Sequence, residues 1–384
     1  MKLLYVLGSY YPAQSGGPNN TIHWQAKYLS KGTFDVSVAS LKSGLTQDNI
    51  NDYKIDLNSK NIVEGVKVYY FDYFLNRYFS FKFYIWLMCN IYKFDFVQLT
   101  SYFFPITWFS ILICNITNTP FSIAPRGELE DNAITFSRSI KMTVHHLFLK
   151  FLYRKARFIL ITSYQELEFS KKYFDRKMIF ELVPNYIDLS KSIPLQESEI
   201  LSKQNILYLG RLHPKKGLSN LIKAYFSLPE AIIKSHLLLI AGTGDPLYID
   251  SLKALVRDSE YSERVIFLNH MQGAEKERIY KKSKVFVLPS YSENFGNVVL
   301  EALSFSIPVI TSKHTPWETL NGSKCGFWIE NTPDQIVTYL EKVLSMETEE
   351  YVGYSKKAYR FVYDNYDIAQ NISLIEKTYG KYAN

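Results

Sequence analysis

No run in the 384 residues approaches the ~18 consecutive uncharged apolar positions that a membrane-crossing helix needs, so none is expected. Only three cysteines occur, Cys89, Cys114 and Cys325, odd in number and far apart. They argue against a disulfide frame and a structural zinc site and fit a reducing compartment, so a cytoplasmic location is expected. The apolar part of MKLLYVLGSYYP is too short for a signal peptide and lacks a small-residue cleavage site, and reads better as a first buried strand. There is no G-x-G-x-x-G, no internal repeat and no nucleic-acid motif, so nucleic acid is not an expected partner.

Aromatic residues, by contrast, are abundant: 30 Tyr and 26 Phe bring the aromatic share to 16%. Apolar content of 47% and charged content of 21% fit a soluble globular chain whose length calls for two domains. The net charge of +7 is uneven, because the residues through Asp188 carry +6 of it. Such asymmetry suggests an anionic partner surface.

Short apolar runs at 3–7, 34–40, 66–71, 94–100, 121–124, 158–162 and 179–183 alternate with helical patterns. They predict a parallel sheet with helices on both faces. The first run leads into Ser15-Gly16-Gly17-Pro18 and a helix from about Asn20 to Gly32, an order that lets amides approach a phosphate, although a plain tight turn fits as well. Residues 190–203 are polar with little periodicity and read as a linker. The pattern then restarts with runs at 206–209, 237–241, 265–268, 285–288 and 309–311, giving two doubly wound α/β domains in tandem.

The most informative stretch is LPSYSENFGNVVLEALSFSIPV, 288–309. A buried strand ends at Pro289, a flexible Asn294-Phe295-Gly296-Asn297 follows, and a helix starts near Asn297. Glu293 on the loop and Glu301 in the second helical turn can then share a crevice above the strand's carboxyl end, where open α/β sheets bind ligands. The helix start favours a phosphate, and the carboxylates suit the hydroxyls of a nucleotide sugar. Two solvated carboxylates beside an ordinary helix start are the plainer alternative. At another strand-to-helix junction stand Arg211 and Lys216, in GRLHPKKG, offering a guanidinium fork and a point charge to a diphosphate, or simply a solvated basic turn.

With SGG (15–17), APRGEL (124–129), VPN (183–185), AGTGD (241–245) and TPW (315–317) in this order at strand ends, the chain resembles the retaining glycosyltransferases of the GT-B fold, family 4. The resemblance implies two Rossmann-like domains facing across a cleft: 1–190 on the acceptor side and 200–364 for the nucleotide sugar. A C-terminal helix of about 365–384 would pack back on the first domain. It implies that Glu293 binds hydroxyls of the transferred sugar, Glu301 the ribose, and Arg211 and Lys216 the diphosphate leaving group. Gly16 and Gly17 would close over the donor, a UDP- or GDP-sugar, with further donor contacts from Asn294, Phe295, Gly296, Asn297, Gly242 and Met271. Thr100, Arg126 and Glu128 fall on the acceptor side. No cofactor and no metal are expected, and no D-x-D stands near a strand end.

The sequence departs from the pattern in places. Thr100 occupies the position where the family often carries a donor-facing histidine, which puts a histidine-assisted step in doubt; His145, His146, His236 and His270 lie elsewhere and read as surface or packing residues. Tyr186 follows VPN where glycine is usual. The expected reaction moves a hexose to a glycan acceptor, presumed lipid-linked, in surface polysaccharide biosynthesis. The alternatives are a nucleotide-sugar epimerase of the same fold and a catalytically silent glycan- or membrane-binding homologue. Two stretches suit peripheral contact with an anionic membrane: the basic amphipathic 137–157 and the aromatic 73–92, each equally readable as a core-facing helix.

Overall fold

The computed structural model describes every residue except 14–16, 75–78, 132–133, 135–137, 191 and 383–384. Contacts divide the chain into two units, Met1–Asp188 with Ile368–Asn384, and Leu189–Asp367.

The first unit is built on eight strands: β1 (Lys2–Leu7), β2 (Asp35–Leu41), β3 (Lys60–Val63), β4 (Val66–Phe71), β5 (Phe96–Thr100), β6 (Phe121–Ala124), β7 (Ile159–Ile161) and β8 (Phe180–Leu182). Their order is β3-β4-β2-β1-β5-β6-β7-β8, parallel throughout except β3 against β4. The β3–β4 hairpin was not foreseen. Its turn, Glu64-Gly65, has both residues at positive φ, 45° and 88°, as a two-residue hairpin requires.

Alternation along β1 explains the layers. Leu3, Tyr5 and Leu7 face one core together with Ile22 and Ala26 of the helix Gly17–Leu29 and Ile375 and Tyr379 of Ile368–Gly380. Leu4 and Val6 face the other, with Phe83 and Leu87 of Phe81–Asn90, Ile106 and Ile111 of Pro105–Thr117, and Leu149. A strand buried on both faces reads as a continuous apolar run, which is why β1 is plain in the sequence. The helix after β1 begins at Gly17, three residues before its expected start.

The second unit carries six parallel strands: β9 (Asn205–Leu209), β10 (Leu238–Ala241), β11 (Val265–Leu268), β12 (Ser283–Leu288), β13 (Val309–Ser312) and β14 (Gly326–Ile329), ordered β11-β10-β9-β12-β13-β14. β14 was not anticipated. The polar segment 190–203 is more than a linker: Glu197–Leu201 is a helix with a capping box between Gln196 and Glu199. Ile200 behind it is buried, and the Lys203 ammonium reaches the Ser306 carbonyl at 3.1 Å.

Strand order reverses between β1 and β5 in the first unit and between β9 and β12 in the second. Those switch points open crevices at the carboxyl ends of the sheets. In the second unit the loops flanking the crevice are the two motif-rich stretches, 210–217 and 289–296.

Candidate active site

Glycines set how closely the loops of the second unit approach. A Cβ on Gly242 would lie 1.9 Å from the Gly210 carbonyl oxygen, and one on Gly244 1.9 Å from that of Leu212. The amides of Gly210 and Leu212 donate to the carbonyls of Ala241 (3.0 Å) and Thr243 (2.8 Å), so backbone pairing continues beyond the strand ends. Gly217, at φ 67°, faces the Pro289 carbonyl where a Cβ would lie 2.0 Å away. The Tyr291 amide donates to the Lys215 carbonyl at 2.7 Å, and Asn331 donates to that of Pro289. The loops after β9 and β12 are thereby fixed to each other, with no room for side chains between them.

This packing brings Lys216 and Glu293, 77 positions apart, into an ion pair in which their side chains are 12% and 17% exposed. Arg211, on the same loop, has an exposed side chain, while its carbonyl accepts from the Tyr208 hydroxyl at 2.9 Å. His213 reports the local field: partial burial first, then the cations Arg211, Lys215 and Lys216, push its pKa below the ordinary imidazole value.

Asn294-Phe295-Gly296-Asn297 is anchored rather than loose. Phe295 is buried with its ring 5.2 Å from that of Trp317, whose indole nitrogen donates to the Phe295 carbonyl at 2.6 Å. This gives the TPW motif a structural task. Gly296 takes φ 79° and, as a glycine, brings no capping side chain of its own to the helix Asn297–Ser304 that it begins, a helix start suited to an anion. Glu301 lies in the second turn, where Lys276 reaches its carboxylate at 2.7 Å and the buried Tyr280 hydroxyl donates at 2.9 Å. Lys276 and Tyr280 were missed in the sequence. Their spacing of four on the helix Gly273–Lys281 was the available signal. Met271 precedes that helix and is half-buried.

In the first unit, Thr100 ends β5 at the switch point, and its hydroxyl is buried with no hydrogen-bond partner among the described residues. Arg126, at φ 54°, donates to Asn185 at 2.7 Å. Burial pulls its pKa down, against the opposing pull of Glu166. Glu166 in turn accepts from the amides of Gly127 (2.8 Å) and Thr162 (2.7 Å). Glu128 accepts from the amides of Tyr102 and Phe103, both at 2.8 Å, and burial raises its pKa against those bonds. Arg126 and Glu128 therefore tie together the loops that follow β5, β6 and β8. Gly16 lies outside the described residues; Gly17 is the first residue of its helix.

One polar cluster had no forerunner in the sequence reading. Buried His23 bonds Tyr10 at 2.9 Å, its ring stacks on Tyr11 at 4.2 Å between centroids, and it lies 3.5 Å from Glu64. Burial lowers its pKa to about 4 despite that carboxylate. Among the described residues, no three His, Cys, Asp or Glu side chains come together as metal ligands. Nor is any described helix long and apolar enough to cross a membrane.

Two Rossmann-like units whose loops crowd the switch points define the GT-B class of fold. Residues 193–361 match the family model described as glycosyl transferases group 1. An uncharacterized glycosyltransferase of Methanocaldococcus jannaschii is 33% identical over 162 residues, 41% of this chain and 39% of that protein. The O-antigen chain mannosyltransferase B of Escherichia coli is 29% identical over 121 residues, 32% of each chain. These alignments span well under half of the relatives' lengths. Among solved structures, Anabaena HepE in complex with UDP-glucose superimposes with a TM-score of 0.76 at 15% identity, covering 99% of this chain and 100% of that one.

Proposed function

We propose that the chain is a retaining glycosyltransferase of family 4. It would move a hexose from a nucleotide sugar to a glycan acceptor in surface polysaccharide biosynthesis. The observation that carries the reading is the convergence of Lys216 and Glu293 at the β9/β12 switch point, beside Arg211 and the helix start that follows Gly296. The Lys216 ammonium, held by the Glu293 carboxylate, can exchange that partner for a diphosphate. The freed Glu293 then accepts from sugar hydroxyls, while Glu301, held by Lys276 and Tyr280, accepts from the ribose. A UDP- or GDP-sugar donor fits, and the UDP-glucose bound to HepE favours a nucleotide sugar.

In the proposed step the bond between the anomeric carbon and the diphosphate oxygen breaks, and the acceptor oxygen bonds to the same face of that carbon. The acceptor proton passes to the departing diphosphate. Arg211, Lys216 and the amides at Asn297 stabilise the charge that develops on the leaving group, and the loops supply position. A lipid-linked acceptor fits the basic first unit, and a cytoplasmic site of action fits the cysteine usage. The test is a screen of nucleotide sugars for nucleoside diphosphate release, with the anomeric configuration of the product read by NMR. Release from no sugar nucleotide would overturn the reading, and an inverted product would overturn retention.

A further inference from the structure

His213 stands on the loop after β9, between the two cations assigned to the diphosphate, Arg211 and Lys216, and takes no part in the proposed transfer step. Its backbone is extended, at φ −147° and ψ 145°, and its ring Nδ1 accepts a hydrogen bond from the Lys215 amide at 3.2 Å. The imidazole thus caps the single 3₁₀ turn Pro214–Lys216, whose first residue is a proline with φ already set for a helical start. The Lys216 amide donates to the His213 carbonyl at 2.8 Å and closes the same turn.

Lys215 is held on both sides, its amide by the His213 ring and its carbonyl by the Tyr291 amide at 2.7 Å. Lys216 follows, with its ammonium on the Glu293 carboxylate, and Gly217 then takes φ 67° against the Pro289 carbonyl. Tyr291 and Gly217 fix the turn to the loop after β12, and the His213 ring fixes its entry. That last bond needs a lone pair on Nδ1, hence a neutral ring with its proton on Nε2. An imidazolium has no lone pair to offer, and its Nδ1–H would point at the Lys215 N–H.

We infer that neutral His213 is a positioning residue for glycosyl transfer: it caps the turn that carries Lys216 so that the ammonium meets the diphosphate, and protonating its ring weakens diphosphate binding. This role rests on the glycosyl-transfer reading of the same loop. The surroundings keep the ring in its capping form. Partial burial and the cations Arg211, Lys215 and Lys216 all disfavour the imidazolium, and the Glu293 carboxylate across the turn is engaged by Lys216. A bound diphosphate works the other way, because its negative charge favours an imidazolium. The two influences predict opposite pH trends. A cap loses affinity on acidification, whereas a ring that meets the ligand as a cation gains it.

The test is calorimetric titration of the full chain with UDP and with GDP between about pH 8 and pH 5, the tighter ligand being carried through. The ligand's own terminal phosphate titrates in this window, so affinities are compared with those of His213→Asn, which does not titrate and offers an oxygen favoured at such caps. At about pH 8, His213→Ala should weaken binding about three- to tenfold, the scale of a lost N-cap, and His213→Asn should recover most of that loss. Towards pH 5, wild type should lose at least about twofold relative to His213→Asn. In a K216A/E293Q background His213→Ala should change affinity less than about twofold, because the cap acts through Lys216. His213 is exposed, so its variants should keep the wild-type urea midpoint within error. Affinity untouched by His213→Ala, parallel pH profiles for wild type and His213→Asn, or an equal loss in the K216A/E293Q background would overturn the role of His213 and leave diphosphate binding standing. Affinity that rises on acidification relative to His213→Asn would replace the neutral cap with an imidazolium on the ligand. Binding of neither UDP nor GDP by wild type would overturn the glycosyl-transfer reading and this role with it.

Discussion

The pairing of Lys216 with Glu293 makes an asymmetric prediction about ligand binding. Each donor molecule must draw the ammonium away from the carboxylate. Glu293→Gln removes that competitor, so affinity for free nucleoside diphosphate should be retained or rise while sugar transfer collapses. Replacing Lys216 in that background then removes one charge-assisted hydrogen bond, about 1.5–3 kcal/mol, or about 10- to 100-fold in Kd. Isothermal calorimetry on the Glu293→Gln and K216A/E293Q proteins measures the difference directly. Comparison with K216A alone is less clean, because that change leaves an anion beside the phosphate.

The same pair sets a stability cost that can be read separately. Ion pairs exposed to solvent contribute about 0–1 kcal/mol, and breaking a fully buried one costs about 3–5 kcal/mol. At 12% and 17% exposure, Lys216→Ala should cost about 2 kcal/mol, most of it from the stranded carboxylate. Adding Glu293→Gln should return most of that loss in urea denaturation without restoring diphosphate affinity. A change in affinity below threefold between Glu293→Gln and K216A/E293Q would refute the leaving-group role of Lys216.

Further outcomes follow from other parts of the molecule. Glu301→Ala leaves Lys276 and Tyr280 without their acceptor and should weaken nucleoside diphosphate binding by tenfold or more; calorimetry showing the same change for Glu301→Ala and Glu293→Gln would sink the separate roles. Turnover should survive a chelator, because Arg211, Lys216 and the helix start at Asn297 supply the positive charge; loss on chelation that magnesium or manganese restores would refute this. His23 titrates near 6.5 when unfolded and at about 4 when folded, so the unfolded chain takes up its proton first. Stability should therefore fall as pH drops from about 6.5 to 4, by on the order of 3 kcal/mol. Urea midpoints should show this slope flattened in His23→Gln, and an unchanged slope would remove His23 as the cause.

Most strands were legible as short, mainly apolar runs: β4, β6 and β11 have the expected bounds, β11 at an edge and the other two inside their sheet. What escaped were two other edge strands. The runs of β3, KNIV, and β14, GFWI, are only four residues long, and β3 alternates in burial on an edge where half its side chains meet water. The helix Glu197–Leu201 was hidden by length, since five residues leave one buried position, Ile200, and no periodicity to detect.

The site divides along a different line. The loop residues proposed to face the donor were named from motifs, because Glu293, Arg211 and Lys216 are charged residues at strand ends, where an α/β sheet leaves polar groups open. The residues that hold Glu301 and the loop after β12 could not be named: Lys276, Tyr280 and Asn331 come from other elements and reach Glu301 and the Pro289 carbonyl only through the sheet order. The same topology gives the charged residues of APRGEL another occupation. Arg126 and Glu128 sit at carboxyl ends as a ligand-facing pair would, yet their bonds go to Asn185 and to the amides of Tyr102 and Phe103. A charged residue at a strand end thus marks a crevice without saying whether it serves the ligand or the loops that bound it; its hydrogen-bond partners decide. By that criterion Lys216 and Glu293, whose charges pair with each other among the described residues, suit the exchange of partners proposed for them.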